Sequence, residues 1–233
     1  MYNILSVDFD FVMEPCIQLY NDFIHTLANY SQLWDEIFSK THCEKFLKIN
    51  EDNYSFLLSV LSKLQCPVYI GVDHTNILRS IDERYGTDTI HPTFSITNID
   101  HHHDILYSNR DLPKLKKYNF PQAGTWVGYL WLQQVLHSYR WIRNENSQLY
   151  DNNLNLNFPD FSSDTKEGFN IDNSNLYDMC YISLSVEWIP PQSIPVLIEF
   201  LKTVKQIFPT ITWYDGDYLS YQKFRGIAEK VFA

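Results

Sequence analysis

The chain has 233 residues, with 18 Lys and Arg against 28 Asp and Glu, for a formal net charge of −10. A hydrophobic fraction of 45% with 16% aromatics excludes a disordered chain and suffices for a sizeable core. The acidic balance excludes a general binder of nucleic acid or anionic membrane, which needs cations to neutralise phosphates. It permits a cationic substrate, with ordinary solubility as the plain alternative.

Residues 3–9 form an apolar run that turns acidic at its end, the pattern of a buried strand. Pro15 suits the first turn of a helix, and Ile17, Tyr20, Phe23, Ile24 and Leu27 keep helical spacing. Residues 31–50 read as short helices, and 54–64 as a helix with Phe56, Leu57, Val60, Leu61 and Leu64 on one stripe. Pro67 opens a short strand, Val68 to Ile70, and helical spacing resumes at Ile77, Leu78, Ile81 and Tyr85. A third strand covers 93–99, and the aromatic-rich residues 123–142 read as helical. The Asn-rich stretch 144–175 reads as a long surface loop inside a single domain spanning 1–233. Met179 to Val186 is a fourth strand, Pro190, Pro191 and Pro195 mark the turn into a helix over 192–207, and a last helix lies near 219–232.

Strands alternating with helices predict an α/β fold: three layers, α/β/α, around a mainly parallel sheet. Cys16, Cys43, Cys66 and Cys180 are far apart and form no CxxC pair, which argues against a cysteine zinc cluster and for reduced thiols. No signal-peptide pattern and no membrane-length apolar run is present, so a cytoplasmic protein with no membrane partner is expected.

The polar, reactive residues fall at strand ends, where open α/β sheets bind ligands. Asp8 and Asp10 follow the first strand two residues apart, on one side of an extended chain. They repel unless a cation lies between them, although capping the next helix would also explain them. Asp73-His74 follows the second strand, where a lone His is as readily structural. Asp100-His101-His102-His103-Asp104 follows the third; its alternation sets two carboxylates and an imidazole on one side, a donor set for a first-row divalent ion. Glu187 ends the fourth strand, as a salt-bridge partner or as a carboxylate for a cationic substrate. Asp8, Asp10, His74, Asp100, His102 and Asp104 together suit two divalent ions with bridging carboxylates.

These motifs resemble those of the arginase and agmatinase superfamily. Gly71-Val72-Asp73-His74-Thr75 is similar to its GGDHS motif, and Asp100 to Asp104 matches its DxHxD motif. Ser6-Val7-Asp8-Phe9-Asp10 with Glu14-Pro15 resembles SxDxDxxDP, with one extra residue, and Leu184-Ser185-Val186-Glu187 resembles the late strand whose Glu binds guanidinium. The resemblance implies two Mn²⁺ ions: His74 and Asp104 on one, His102 and Asp10 on the other, Asp100 and Asp8 bridging. It further implies a bridging hydroxide that attacks the guanidinium carbon and releases urea, with Glu187 holding the guanidinium.

Two departures stand out. The DxD strand precedes DxHxD instead of following it, so the strand order is permuted and strand 4–10 has to lie beside strand 94–100. The HGxP-type segment that supplies a catalytic His is replaced by Pro121 to Val127, which leaves His101 or His103 as the local proton carriers. A compact, rearranged chain of this kind resembles the peptide arginases of ribosomal peptide natural-product pathways, which convert arginine in a precursor peptide to ornithine. A small-molecule ureohydrolase keeps the chemistry and changes the substrate. A haloacid-dehalogenase-type phosphatase would use Asp8 and Asp10 with Asp215 and Asp217, and a metal-stabilised binding protein would use no chemistry at all.

Overall fold

A computed structural model describes residues 1–14, 34–35, 37–39, 47–86, 92–106, 111–147, 161–171 and 176–214. The expected helices over 17–27 and 219–232, most of 31–46, and the pair Asp215 and Asp217 lie outside the described residues.

The elements in chain order are β1 (Tyr2–Asp8), β2 (Met13–Glu14), β3 (Lys48–Ile49), α1 (Glu51–Ser62), β4 (Val68–Gly71), α2 (Asn76–Tyr85), β5 (Phe94–Asp100), α3 (Asp111–Tyr118), α4 (Trp126–Leu132), β6 (Leu136–Arg143), β7 (Phe161–Thr165), β8 (Met179–Ser183), α5 (Ile194–Ile207) and β9 (Ile211–Tyr214). Seven of the strands form one sheet in the order β7-β6-β5-β1-β8-β4-β9, and every described pairing in it is parallel. The fold is therefore a three-layer α/β/α arrangement with β1 in the centre.

Burial follows the strand period of two. Leu5 and Val7 of β1, Ile70 of β4 and Ile182 of β8 pack on one face with Leu57 and Leu61 of α1 and Leu197, Phe200 and Leu201 of α5. Ile4, Ile96, Met179 and Tyr181 pack on the other with Ile77 and Ile81 of α2, Leu115 of α3 and Trp126 and Leu130 of α4. Buried on both faces, the central strands are near-continuous apolar runs, as parallel strands are. No helix among the described residues is long and apolar enough to cross a membrane.

Three expectations are corrected. The run 123–142 is not one helix: α4 stops at Leu132, Gln134 takes a left-handed φ of 59°, and Leu136–Arg143 is β6, paired with β5. Tyr139, Trp141 and Ile142 are β-favouring residues buried on both faces, and that packing overrides the helical spacing. The stretch 144–175 is not simply a surface loop. Its residues 161–165 form edge strand β7, while Asn144, Phe169 and Ile171 are buried; residues 148–160 and 172–175 lie outside the described ones. Finally, β8 ends at Ser183 rather than Val186, and β9 follows α5 where no strand was expected.

Because all seven strands are parallel, their C-terminal ends share one edge. Val7 is opposite Ile99 across β1 and β5, and Asp8 is opposite Ser183 across β1 and β8. The strand order thus sets β1 directly beside β5, and the acidic ends of both strands meet.

Candidate metal centre

The site grows from four strand ends. After β1, Asp8 caps a 3-10 turn over Phe9–Val12, and its Oδ1 accepts a hydrogen bond from the Asp10 backbone N–H at 3.0 Å. Asp10 therefore reaches the site by a turn and not by the strand alternation its spacing suggests. Two buried amides hold that turn: Asn53 of α1 and Asn144 both donate to the Phe11 carbonyl, at 3.3 and 2.7 Å.

After β4, the Asp73 side chain accepts from the Thr75 N–H at 2.8 Å, and the Tyr181 hydroxyl donates to the Asp73 carbonyl. This tight turn carries His74 past the end of β8 toward β1. Gly71 is needed here, because a Cβ would collide with the Tyr181 hydroxyl. After β5 the chain bends. Asp100 Oδ1 accepts from the His102 N–H at 2.8 Å, and Asp104 takes a left-handed φ of 50°. A non-glycine residue in that region costs energy and marks a conformation imposed by its surroundings.

All six predicted ligands converge. His74 Nδ1 lies 2.8 Å from Asp104 Oδ2, 3.1 Å from Asp8 Oδ2 and 3.5 Å from Asp100 Oδ2. His102 Nδ1 lies 3.0 Å from Asp10 Oδ2 and 3.8 Å from Asp100 Oδ1. One ring nitrogen has at most one proton and cannot satisfy three carboxylates. With ligand bonds of about 2.0–2.2 Å, neighbouring donors around one ion stand about 3.0–3.6 Å apart, close to the spacings seen. Asp100 offers a different oxygen to each group, the arrangement of a bridging carboxylate. Asp8 brings its Oδ2 to the His74 group, while its Oδ1 is bound to the Asp10 N–H.

Charge balance points the same way. Asp8, Asp10, Asp100 and Asp104 are each 3% exposed or less. Even two protonated imidazoles leave two negative charges over, and an uncompensated buried charge costs several kcal/mol. Asp10 Oδ1 is buried and has no hydrogen-bond partner among the described residues. Without a metal, protons take up the charge. Burial, then Asp10, raises the Asp8 pKa to about 7, and burial, then Asp104 and Asp10, lifts that of Asp100 well above the carboxylate range. Burial also works to raise Asp104, but His74 outweighs it and holds it down at about 2. These buried Asp and His groups can hold a metal ion.

Outer partners orient the ligands. Ser6 Oγ is 3.1 Å from His74 Nε2, so Nδ1 is left for the site. Trp126 Nε1 donates to Asp104 Oδ2 at 2.7 Å, and Asn98 Nδ2 donates to Asp100 Oδ2 at 2.9 Å. Ser185, with a left-handed φ of 39°, donates from Oγ to Asp8 Oδ2. From the sequence none of the four has an orienting role, although Ser6 and Ser185 stand within the arginase-like motifs. Ser6 and Asn98 precede Asp8 and Asp100 by two in a strand, a spacing that does signal a shared side.

The remaining candidates separate. His101 stands edge-on to His102, with ring centroids 5.0 Å apart, and its Nδ1 is 3.5 Å from Ser147 Oγ. Burial, then His102, lowers its pKa to about 4, so the ring is neutral near pH 7. His103 is 6% exposed, lies edge-on to Trp141, and accepts the Ile105 N–H at its Nδ1. Glu187 sits in the 3-10 turn Val186–Trp188 that follows β8, and its side chain lies outside what the structure describes. Comparison with known protein families, curated proteins and solved structures finds no match to this chain.

Proposed function

We propose that the protein is a metal-dependent hydrolase that converts arginine residues of a peptide to ornithine, with release of urea. The observation that carries this reading is the bridging Asp100, which offers one carboxylate oxygen to the His74 group and the other to the His102 group. His74, Asp104 and Asp8 would hold one ion, His102 and Asp10 the other, with Mn²⁺ the metal suggested by the arginase-like motifs. Divalent ions lower the pKa of water toward neutrality and so supply a hydrolytic nucleophile.

The chain's own groups would do the rest. Glu187, in the turn after β8, would hold the guanidinium by paired charge-assisted hydrogen bonds. His101, neutral and beside His102, would carry the proton between water and the leaving amine. His103 is less suited, since one ring nitrogen already accepts a backbone N–H. The phosphatase reading assigns no role to the two imidazoles that converge on Asp8 and Asp10.

Incubation of the Mn²⁺-loaded protein with an arginine-containing peptide should release urea and remove CH₂N₂ from each arginine converted. Urea from free arginine with no change in peptide would overturn the peptide substrate. Phosphate released from a phosphate ester, undiminished by His102→Ala, would overturn the reaction class.

A further inference from the structure

Asp8 and Asp10 reach the site in different ways. Asp8 is the last residue of β1, which pairs with β5 on one side and β8 on the other. Asp10 is in no strand. It sits in the 3-10 turn Phe9–Val12, with its Oδ2 3.0 Å from His102 Nδ1 and its buried Oδ1 without a hydrogen bond among the described residues. A ligand is aimed by its outer partners or by the chain that carries it, so the aim of Asp10 depends on how this turn is held.

The rings of Phe9 and Phe11 are buried in the core, and the Val12 carbonyl accepts the Asn50 N–H at 2.7 Å. The Phe11 carbonyl, one residue past Asp10, is held by two buried amides. Asn144, 1% exposed, donates to it from Nδ2 at 2.7 Å and to the Met13 carbonyl at 3.3 Å. Asn53 of α1 donates to it from Nδ2 at 3.3 Å. The other end of each amide is taken as well. Asn144 Oδ1 accepts the Asn146 N–H at 2.9 Å, which fixes the end of the amide that donates. Asn53 Oδ1 accepts from Lys166 Nζ at 2.8 Å, and Lys166 Nζ lies 3.8 Å from Oε1 of Glu145, the residue after Asn144.

These contacts close a ring through Asn144, the Phe11 carbonyl, Asn53, Lys166 and Glu145. The ring joins α1, the chain just past β6 and the turn after β7 to the turn that carries Asp10. A fully satisfied buried network specifies one geometry, and a buried carbonyl that loses its donors shifts toward new ones and takes its neighbours along. Asp10 is such a neighbour, whereas Asp8, His74, Asp100 and Asp104 have outer partners of their own. We propose that Asn144, with Asn53 in support, is a positioning residue for the second ion of the centre: it sets the Asp10 carboxylate, and through it the ion shared with His102. This rests on the two-ion reading, and counting bound metal separates the two.

The test is Mn²⁺ binding in two steps, read by metal analysis and by competition with a chelating dye, for the wild type, Asn144→Ala, Asn144→Asp and Asn53→Ala. Asn144→Ala should weaken the looser step by about 10- to 100-fold and leave the tighter step unchanged. Asn144→Asp keeps an acceptor for the Asn146 N–H but loses the donor to Phe11, so it should do no better than Asn144→Ala. Recovery of the looser step in Asn144→Asp would confine Asn144 to its own turn and overturns the inference. Asn53→Ala, which leaves the Asn144 donor in place, should weaken the looser step by about 2- to 10-fold, and it carries the test if Asn144→Ala does not fold. Equal loss of both steps in a folded variant, or no change in either, overturns the inference alone. A wild type that binds a single ion overturns the two-ion reading, and the inference with it.

Discussion

The His74 group and the His102 group share Asp100, yet their ligands are held with different firmness. Around His74 every donor has an outer partner: Ser6 on His74, Trp126 on Asp104, Ser185 on Asp8 and Asn98 on Asp100. Around His102, Asp10 keeps one oxygen without a hydrogen bond among the described residues, and the imidazole, in ring contact with Trp188 and His101, is 20% exposed. The first group is preorganised and shut away. The second is looser and the more exposed. Under the proposed reading, such a pair would divide the work of an active site, with one ion held firmly and one able to meet a substrate.

Asp100→Ala should erase this difference altogether, because both groups lose an oxygen. Metal analysis should show bound Mn²⁺ falling from two equivalents to nearly none, and a variant that keeps two would refute the bridge. The next largest effect should split the groups. His102→Ala is expected to retain one tightly held equivalent, while His74→Ala should weaken the tight step by about 100-fold or more. If both variants kept one ion with the same affinity, the asymmetry would be wrong. Smaller again, Trp126→Phe and Ser185→Ala should each weaken the tight step by roughly 10- to 100-fold and leave the loose step unchanged, as read by competition with a chelating dye.

The smallest effect is on stability against pH. In the metal-free protein burial works to lower the His74 pKa, but Asp8 and Asp104 outweigh it and raise it to about 9. A raised folded-state pKa contributes stability that is complete below the ordinary value of 6.5 and is lost as pH climbs through 9. Asp8, raised by burial to about 7 from 3.8, has the same sign over a lower window. The Tm of the metal-free protein should therefore fall between pH 6.5 and 9. Mn²⁺ displaces those protons, so the loaded protein should show a flat or rising Tm over that range. A metal-free Tm that rises instead would contradict the proton-for-metal exchange.

The same contrast explains what was legible in the sequence. β1, β4, β5 and β8 are short apolar runs ending in polar residues, and that local signal is enough to find both the strands and the six candidate ligands, which end or follow β1, β4 and β5. β6 is hidden because its aromatic residues also keep helical spacing, and only the neighbouring β5 decides between the two. β7, with the polar sequence Phe161 to Thr165, is an edge strand whose pairing leaves little trace in composition. In the site, ligands are local but their partners are not. Trp126 is 22 positions from Asp104 and reads as a core aromatic until the fold brings its N–H to the carboxylate. Asn144 reads as one polar residue of an Asn-rich loop, yet it is buried and pins the turn that carries Asp10.

The central place of β1 has a consequence for how the protein is made. Asp8 and the Ser185 that orients it are 177 positions apart, and β4, which leads into His74, lies between them in sequence but beyond β8 in the sheet. Pairings of such long range form slowly, since the loop must close before the contact repays it. During synthesis β1 has to wait for both β5 and β8, and the His74 group cannot assemble until β8 has joined the sheet between β1 and β4. If the cluster takes up metal as proposed, loading would then act as a final checkpoint on folding: a chain in which β8 fails to dock would leave the His74 group unassembled and hold no ion firmly there.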